Sequence, residues 1–250
     1  MAQGFRLREA TPEDADVLAD VHTRTRTAYY TAGGMPEDRV TDPSAWEQRR
    51  DAWARVLAAP TRATLVAEDT DGTVIGLLTA GPPHHEDLDA STSYELYQIG
   101  VLPRAWGRGV GGALHRKFVT LATTAGCAEG VLECWASNTR AQGFYARNGW
   151  RPDGARRPGP LDHDYVRLRL KLASRSSGTA GGCRDARGRR THGRPPATGE
   201  LPDRPAEPGR PTSRESPVRR RTSLAKSRSA RTSSAALVAI HTPRHSPAKV

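Results

Sequence analysis

Apolar residues recur along this chain in two rhythms, and the changes from one to the other mark its elements. Phe5-Arg-Leu-Arg alternates with the period of a strand. Thr11-Pro-Glu-Asp then carries the signals of a helix start: Thr11 as N-cap, Pro12 at the first helical position and Asp14 three residues after the cap. Val17, Leu18 and Val21 give that helix a buried stripe, and Gly33-Gly-Met-Pro36 marks a turn. Trp46, Trp53, Val56 and Leu57 predict a second amphipathic helix. Residues 63–68 and 73–79 read as strands joined by Asp69-Thr-Asp-Gly72, which has the Asp-Gly chemistry of a hairpin connection.

Downstream, residues 96–101 form a continuous apolar strand, ended by Pro103, which has no N–H to give to a ladder. Val110, Leu114 and Phe118 follow at helical spacing. Residues 131–135 predict a strand and 140–147 a helix. Residues 164–172 predict a closing strand in which Val166, Leu168, Leu170 and Leu172 alternate. The predicted order is βααβββαβαβ.

Charge divides the 250 residues sharply. Residues 1–172 carry 21 Lys and Arg against 22 Asp and Glu, whereas residues 173–250 carry 17 against 5, so the net charge of +11 belongs to the C-terminal segment. That segment has no Phe, Trp or Tyr and is rich in Arg, Ser, Pro, Gly and Thr. It cannot bury enough apolar surface to offset chain ordering and is predicted to be a disordered tail after a folded domain of residues 1–172. Its basic clusters, notably Arg219-Arg-Arg221, suit a nucleic acid or another acidic surface, and a solvated, nonspecific tail explains them equally. Cys127, Cys134 and Cys183 have no framework or metal-site spacing, and Cys134 reads as a small core residue. Without an early apolar segment or an apolar run near eighteen residues, the sequence predicts a cytoplasmic protein with no membrane association, monomeric or homodimeric.

The most explicit chemistry lies between the apolar strand and the helix after it. Gly107, Gly109, Gly111 and Gly112 fall within six residues. Lacking Cβ atoms, they let backbone amides approach a ligand closely. The first N–H groups of the next helix have no intrahelical partner and sit at the positive end of its dipole. Arg104 and Arg108 add charge to the same stretch, and a phosphate or pyrophosphate suits such a place. Gly107-Arg-Gly109-Val-Gly-Gly112 also spells a dinucleotide fingerprint, with Glu133 at a tempting distance for a ribose. A dinucleotide fold, however, puts its first glycine directly after the strand and needs several more βα units; here five residues intervene and too little foldable sequence remains. No Gly-Lys-Ser/Thr of a Walker loop occurs.

Arg104-Ala-Trp-Gly107-Arg-Gly109 resembles the Arg/Gln-x-x-Gly-x-Gly/Ala signature of the GNAT superfamily of acetyl-CoA-dependent N-acetyltransferases. A second block, Leu132-Glu-Cys-Trp-Ala-Ser-Asn138 with Phe144-Tyr145 and Asn148-Gly-Trp-Arg151, resembles that family's later strand, helix and strand start. The similarity spans roughly residues 4–172. It implies an α+β fold: a mixed, mostly antiparallel twisted sheet with helices on both faces, and two strands that splay to admit the pantetheine arm of CoA. By the same resemblance acetyl-CoA is the co-substrate, no metal is required, and an amine attacks the thioester directly in a ternary complex.

The resemblance also implies site residues. Ile99, Gly100 and Val101 would present backbone groups to pantetheine and the acetyl carbonyl. Gly107, Arg108, Gly109, Val110, Gly111 and Gly112 would hold the pyrophosphate, with Asn138 contacting pantetheine or an ordered water. Tyr145 would give its proton to the departing sulfur. Glu133 and Glu95 compete as general base, and a water relay can replace either. Trp106 is expected at the rim of the cofactor site. The acceptor would be chosen by residues 22–36, with Arg24, Arg26, Tyr29 and Tyr30, and by the loop 81–91, whose Glu86, Asp87 and Asp89 suit a cationic amine. The adjacent His84 and His85 lack defined ligand spacing and read as part of a solvated loop. A second class of function stays open beside the enzyme: a noncatalytic CoA-binding domain with a nucleic-acid-binding basic tail.

Overall fold

The computed structural model describes residues 4–41 and 46–173; the predicted basic tail lies outside the described residues from residue 174 onward. The chain runs β1 (Phe5–Glu9), α1 (Ala15–Ala32), α2 (Glu37–Val40), α3 (Trp46–Ala58), β2 (Ala63–Asp69), β3 (Val74–Gly81) and β4 (Ser93–Val101). It continues through α4 (Val110–Thr124), β5 (Glu129–Trp135), α5 (Thr139–Arg147), β6 (Arg151–Arg157) and β7 (Tyr165–Lys171). One seven-stranded sheet has the order β1-β2-β3-β4-β5-β7-β6. Every neighbouring pair is antiparallel except β4 and β5.

That exception positions the site. The parallel ladder of β4 and β5 covers only Ser93–Glu95 against Glu129–Val131, whereas β4 runs on to Val101 and β5 to Trp135. Beyond Glu95 the two strands have parted. In β4 the register against β3 shifts at Tyr97, which lies between the paired residues Leu96 and Gln98. A bulge of this kind bends its strand.

Helices lie on both faces. Phe118, Leu114 and Val110 of α4 join Ile75, Leu78, Tyr94, Leu132 and Trp150 in the larger core, where Tyr145 of α5 also packs. On the opposite face Leu18 and Val21 of α1 and Trp53 of α3 cover Val66, Val74 and Leu77. Each such side chain, fully buried, contributes about 1.5–3 kcal/mol. Trp46, expected in the stripe of α3, is instead 39% exposed, because it begins the helix while Trp53 is central to it.

The predicted helix start at Thr11 is present as a turn of 3-10 helix leading into α1, with the Thr11 N–H donating to Asp14 Oδ2 at 2.7 Å. The resemblance implied a strand start at Asn148–Arg151, where β6 begins, but the apolar pattern predicted no strand there. The sequence of β6, Arg-Pro-Asp-Gly-Ala-Arg-Arg, is polar and broken by Pro152 and Gly154, and it survives because it is an edge strand paired only with β7, its register shifted between Pro152 and Arg156. Among the described residues no helix is long and apolar enough to cross a membrane.

Candidate active site

Where β4 and β5 part, a groove of about 840 Å³ opens between them, floored by β4 and closed at its sides by α1, the glycine loop, α4 and α5. Residues 98–101 line it, as do Glu133, Cys134 and Trp135 of β5. Because β5 has left the ladder, no residue of β5 pairs with Ile99, Gly100 or Val101 along that edge of β4, and the Val101 carbonyl accepts instead from the Trp106 indole. Thr25 of α1 packs so closely over Gly100 that a Cβ there would stand 3.0 Å from its hydroxyl oxygen.

At one end of the groove the chain reverses through the glycines. Gly107 and Gly109 have φ of 77° and 85°, a left-handed region that favours glycine, and Gly109 caps α4. The first bond of that helix runs from the Ala113 N–H to Gly109 O at 3.0 Å, which leaves the N–H groups of Val110, Gly111 and Gly112 without an intrahelical acceptor. Gly107, Gly109, Val110, Gly111 and Gly112 all line the groove. A cluster of free amides at the start of a 15-residue helix is a fitting seat for a pyrophosphate.

Arg108 is placed differently from expectation. Its guanidinium turns away from the groove to grip Asp69 through two bonds of 2.8 Å and donates to Gly4 O at 3.0 Å, tying the loop to the β2–β3 hairpin. That contact holds the Asp69 carboxyl well below its usual range. The cations on the groove are Arg140 and Arg147 of α5, which the sequence reading did not single out as ligands. Arg140 lies 3.9 Å over the ring of Trp106, whose indole N–H donates to Val101 O at 2.8 Å. Trp106 thus stands at the rim, as expected.

Asn138 is the N-cap of α5: its Oδ1 accepts from the Ala141 N–H at 3.1 Å. The oxygen is committed to the helix, so the groove is offered the Nδ2 side of the amide. Tyr145 lies about two turns further along, buried against Phe144 and Trp150 and lining the groove. Burial raises its phenol pKa well above 10, so the group is a proton donor at neutral pH. Burial pushes the neighbouring Cys134 thiol up to about 12, which agrees with its reading as a core residue and not a nucleophile.

The two candidate carboxylates are not equivalent. Glu133 lines the groove and receives the Arg157 Nε–H at 2.6 Å. Glu95 is 2% exposed and sits at the root of the cleft, where Oε2 accepts from the His84 N–H at 3.1 Å and lies 2.7 Å from His84 Nδ1. His85 stands between them, its Nε2 3.8 Å from Glu95 Oε1 and 3.9 Å from Glu133 Oε1. Burial lowers the His85 pKa, with Glu95 opposing, so its imidazole is neutral at pH 7. The solvated histidine loop of the sequence reading is therefore corrected: its two imidazoles fold back onto Glu95. Residues 84 and 85 are eleven and ten positions from Glu95, a separation set by a hairpin and invisible to spacing rules.

The other end of the groove is walled by α1 and aromatic rings. His22, Thr25, Ala28, Tyr29 and Ala32 face the groove. Tyr30, Trp135 and Tyr165 form a small cluster beside them, with the Tyr30 and Tyr165 hydroxyls bonded to each other. Arg24 pairs instead with Asp20 on the surface. Asp87 is held by Arg167 at 2.7 Å and Asp89 accepts from Ser91, so these two loop acids serve the loop itself.

Residues 24–150 match the family model described as "Acetyltransferase (GNAT) family". An uncharacterized N-acetyltransferase of Mycobacterium tuberculosis (H37Rv) is 33% identical over 161 residues, covering 62% of this chain and 97% of that protein. Among solved structures, the PaiA N-acetyltransferase of Thermoplasma acidophilum in complex with coenzyme A superposes with a TM-score of 0.53 at 18% identity, over 67% of this chain and 99% of the other. The acetyltransferase YncA of Salmonella typhimurium with its cofactor acetyl-CoA gives 0.53 at 19%, over 70% and 98%.

Proposed function

Because the chain belongs to the GNAT acetyltransferase family, we propose that it transfers the acetyl group of acetyl-CoA to a primary amine by direct attack within a ternary complex. The observation that carries this reading is the groove at the parting of β4 and β5, with free helix-start amides at one end and a protonated phenol and a carboxylate on its walls. Acetyl-CoA supplies an activated thioester. The amides of Val110, Gly111 and Gly112 bind its pyrophosphate, and the exposed edge of β4 at Ile99–Val101 takes the pantetheine arm as an added strand would. Asn138 Nδ2 is available to the same arm.

Glu133, at the groove, takes the proton that the amine nitrogen loses as its bond to the acetyl carbon forms. Tyr145 gives its proton to the sulfur as the carbon–sulfur bond breaks, and regains one from solvent. Glu95, 2% exposed, lies behind the groove. No acyl-enzyme and no metal is required for this transfer.

The test is a thiol-release assay of the full chain with acetyl-CoA over a panel of small amines, amino acids, aminoglycosides and peptide N-termini. Release above the hydrolysis background with at least one amine, together with acetylated product by mass spectrometry, is the expected result. Tight CoA binding with no transfer to any amine would instead support a noncatalytic CoA-binding domain.

A further inference from the structure

We propose that His84, His85 and Glu95, with Glu133 as a further oxygen donor, bind one divalent transition-metal ion of the zinc class beside the groove. One ring nitrogen each of His84 and His85 and a carboxylate oxygen of Glu95 all lie within 4.8 Å of one another. The separations of His85 Nε2 from Glu95 Oε1, 3.8 Å, and from Glu133 Oε1, 3.9 Å, are too long for hydrogen bonds. They are close to what donors sharing one ion require: with ligand bonds of about 2.0–2.2 Å, tetrahedral donors stand about 3.3–3.6 Å apart. The His84–Glu95 pair, at 2.7 Å, opens slightly to admit the ion.

The cluster is built into the fold. Glu95 is fixed on β4 and 2% exposed. The loop that brings the histidines to it is pinned before them by the Tyr97 hydroxyl donating to Pro82 O and after them by Arg167 on Asp87. The two imidazoles pack against each other, centroids 4.5 Å apart and planes tilted by 30°. Arg157 occupies Oε2 of Glu133 and leaves Oε1 toward His85. His84 is 30% exposed in its side chain, which gives the ion a route from solvent.

Donor chemistry sets the class of ion. Two imidazoles with one or two carboxylates suit zinc, cobalt or nickel, whereas magnesium and calcium prefer all-oxygen sites. Two carboxylates and two neutral imidazoles also balance a divalent charge. An ion that takes Glu133 Oε1 competes with the base role proposed above for that carboxylate, so added zinc should slow the transfer, while the metal site itself stands whether or not that reading does.

The experiment is a calorimetric titration of metal-free full-length protein with Zn²⁺ alone, paired with the visible spectrum of the Co²⁺ form, for wild type, H85Q and E95Q. His192, His241, His245 and Cys183 remain in every protein, so any ion they hold cancels in the comparison. CoA affinity, set at the other end of the groove, reports that each variant is folded. One zinc equivalent in wild type, weakened at least about tenfold in both variants, with loss of the d–d bands of a nitrogen- and oxygen-ligated cobalt, is the expected result. Equal isotherms in wild type and both variants, no zinc binding at all, or a cobalt spectrum showing only thiolate ligation each overturns the proposal.

Discussion

Arg108 grips Asp69 across 39 residues with two bonds of 2.8 Å, and in doing so the one arginine inside the glycine run is drawn off the groove. Its role is to fix the loop against the β2–β3 hairpin. R108Q should therefore change CoA affinity by less than about threefold, as expected of an exposed ion pair remote from the ligand. G109V, which forces a β-branched side chain onto a φ of 85°, should weaken it by more than about tenfold. Calorimetric titration with CoA separates the two.

Tyr145 is buried and protonated, and its hydroxyl is the only part that Phe lacks. Y145F should lower kcat by about a hundredfold with the amine found in the thiol-release screen, while the Kd for CoA is unchanged. E133Q should lower kcat by a similar factor, again leaving CoA binding intact. A Tyr145 that only fills space would leave kcat unmoved in Y145F.

The sheet edge opposite the groove sets a pH dependence of stability. Arg8 binds Asp14 at 2.6 Å and also Glu68, and both carboxyls are held below their usual pKa chiefly by that guanidinium. A carboxyl with a depressed folded-state pKa contributes stability above its unfolded value, near 4, that is lost as pH falls through the folded value. The thermal midpoint should drop as pH is lowered below about 4.5, and R8M should be less stable by ~2 kcal/mol at pH 7 with a flatter acid limb. Equal pH profiles for the two proteins would refute the assignment.

Gly130 lies in β5 where a Cβ would stand 2.9 Å from Phe118 and 3.2 Å from Trp150. Overpacking at that junction of α4 and the sheet should make G130A less stable by ~1–3 kcal/mol, measured as a shift in the urea midpoint with an unchanged slope.

The parts of this molecule legible in its sequence are those governed by local rules. Alternation and helical spacing foretold β1, the β2–β3 hairpin, α4 and β7, and the glycine run foretold the helix-start amides that line the groove. The resemblance supplied the parting of two strands, which no local pattern encodes, since it depends on which strand pairs with which. β6 escaped the apolar pattern because a polar edge strand has no buried face to announce it. Arg108 misled because a charged side chain chooses among partners distant in sequence, and Asp69 was one of them. His85 escaped for the same reason in reverse: its proximity to both Glu95 and Glu133 exists only once the loop after β3 has folded back.

The short ladder between β4 and β5 has a mechanical meaning as well as a chemical one. Three paired residues on each strand, with the Ala128 N–H donating to Thr92 O at 2.8 Å at their root, form the backbone seam between a four-stranded plate, β1 to β4, and a three-stranded plate, β5, β7 and β6. Past the ladder no further β4–β5 pairing crosses that line among the described residues, so a ligand bound as proposed would supply the missing stitching. On the proposed reading, acetyl-CoA seated there welds two halves into one body, and the strength of the fold is then partly on loan from the molecule it consumes.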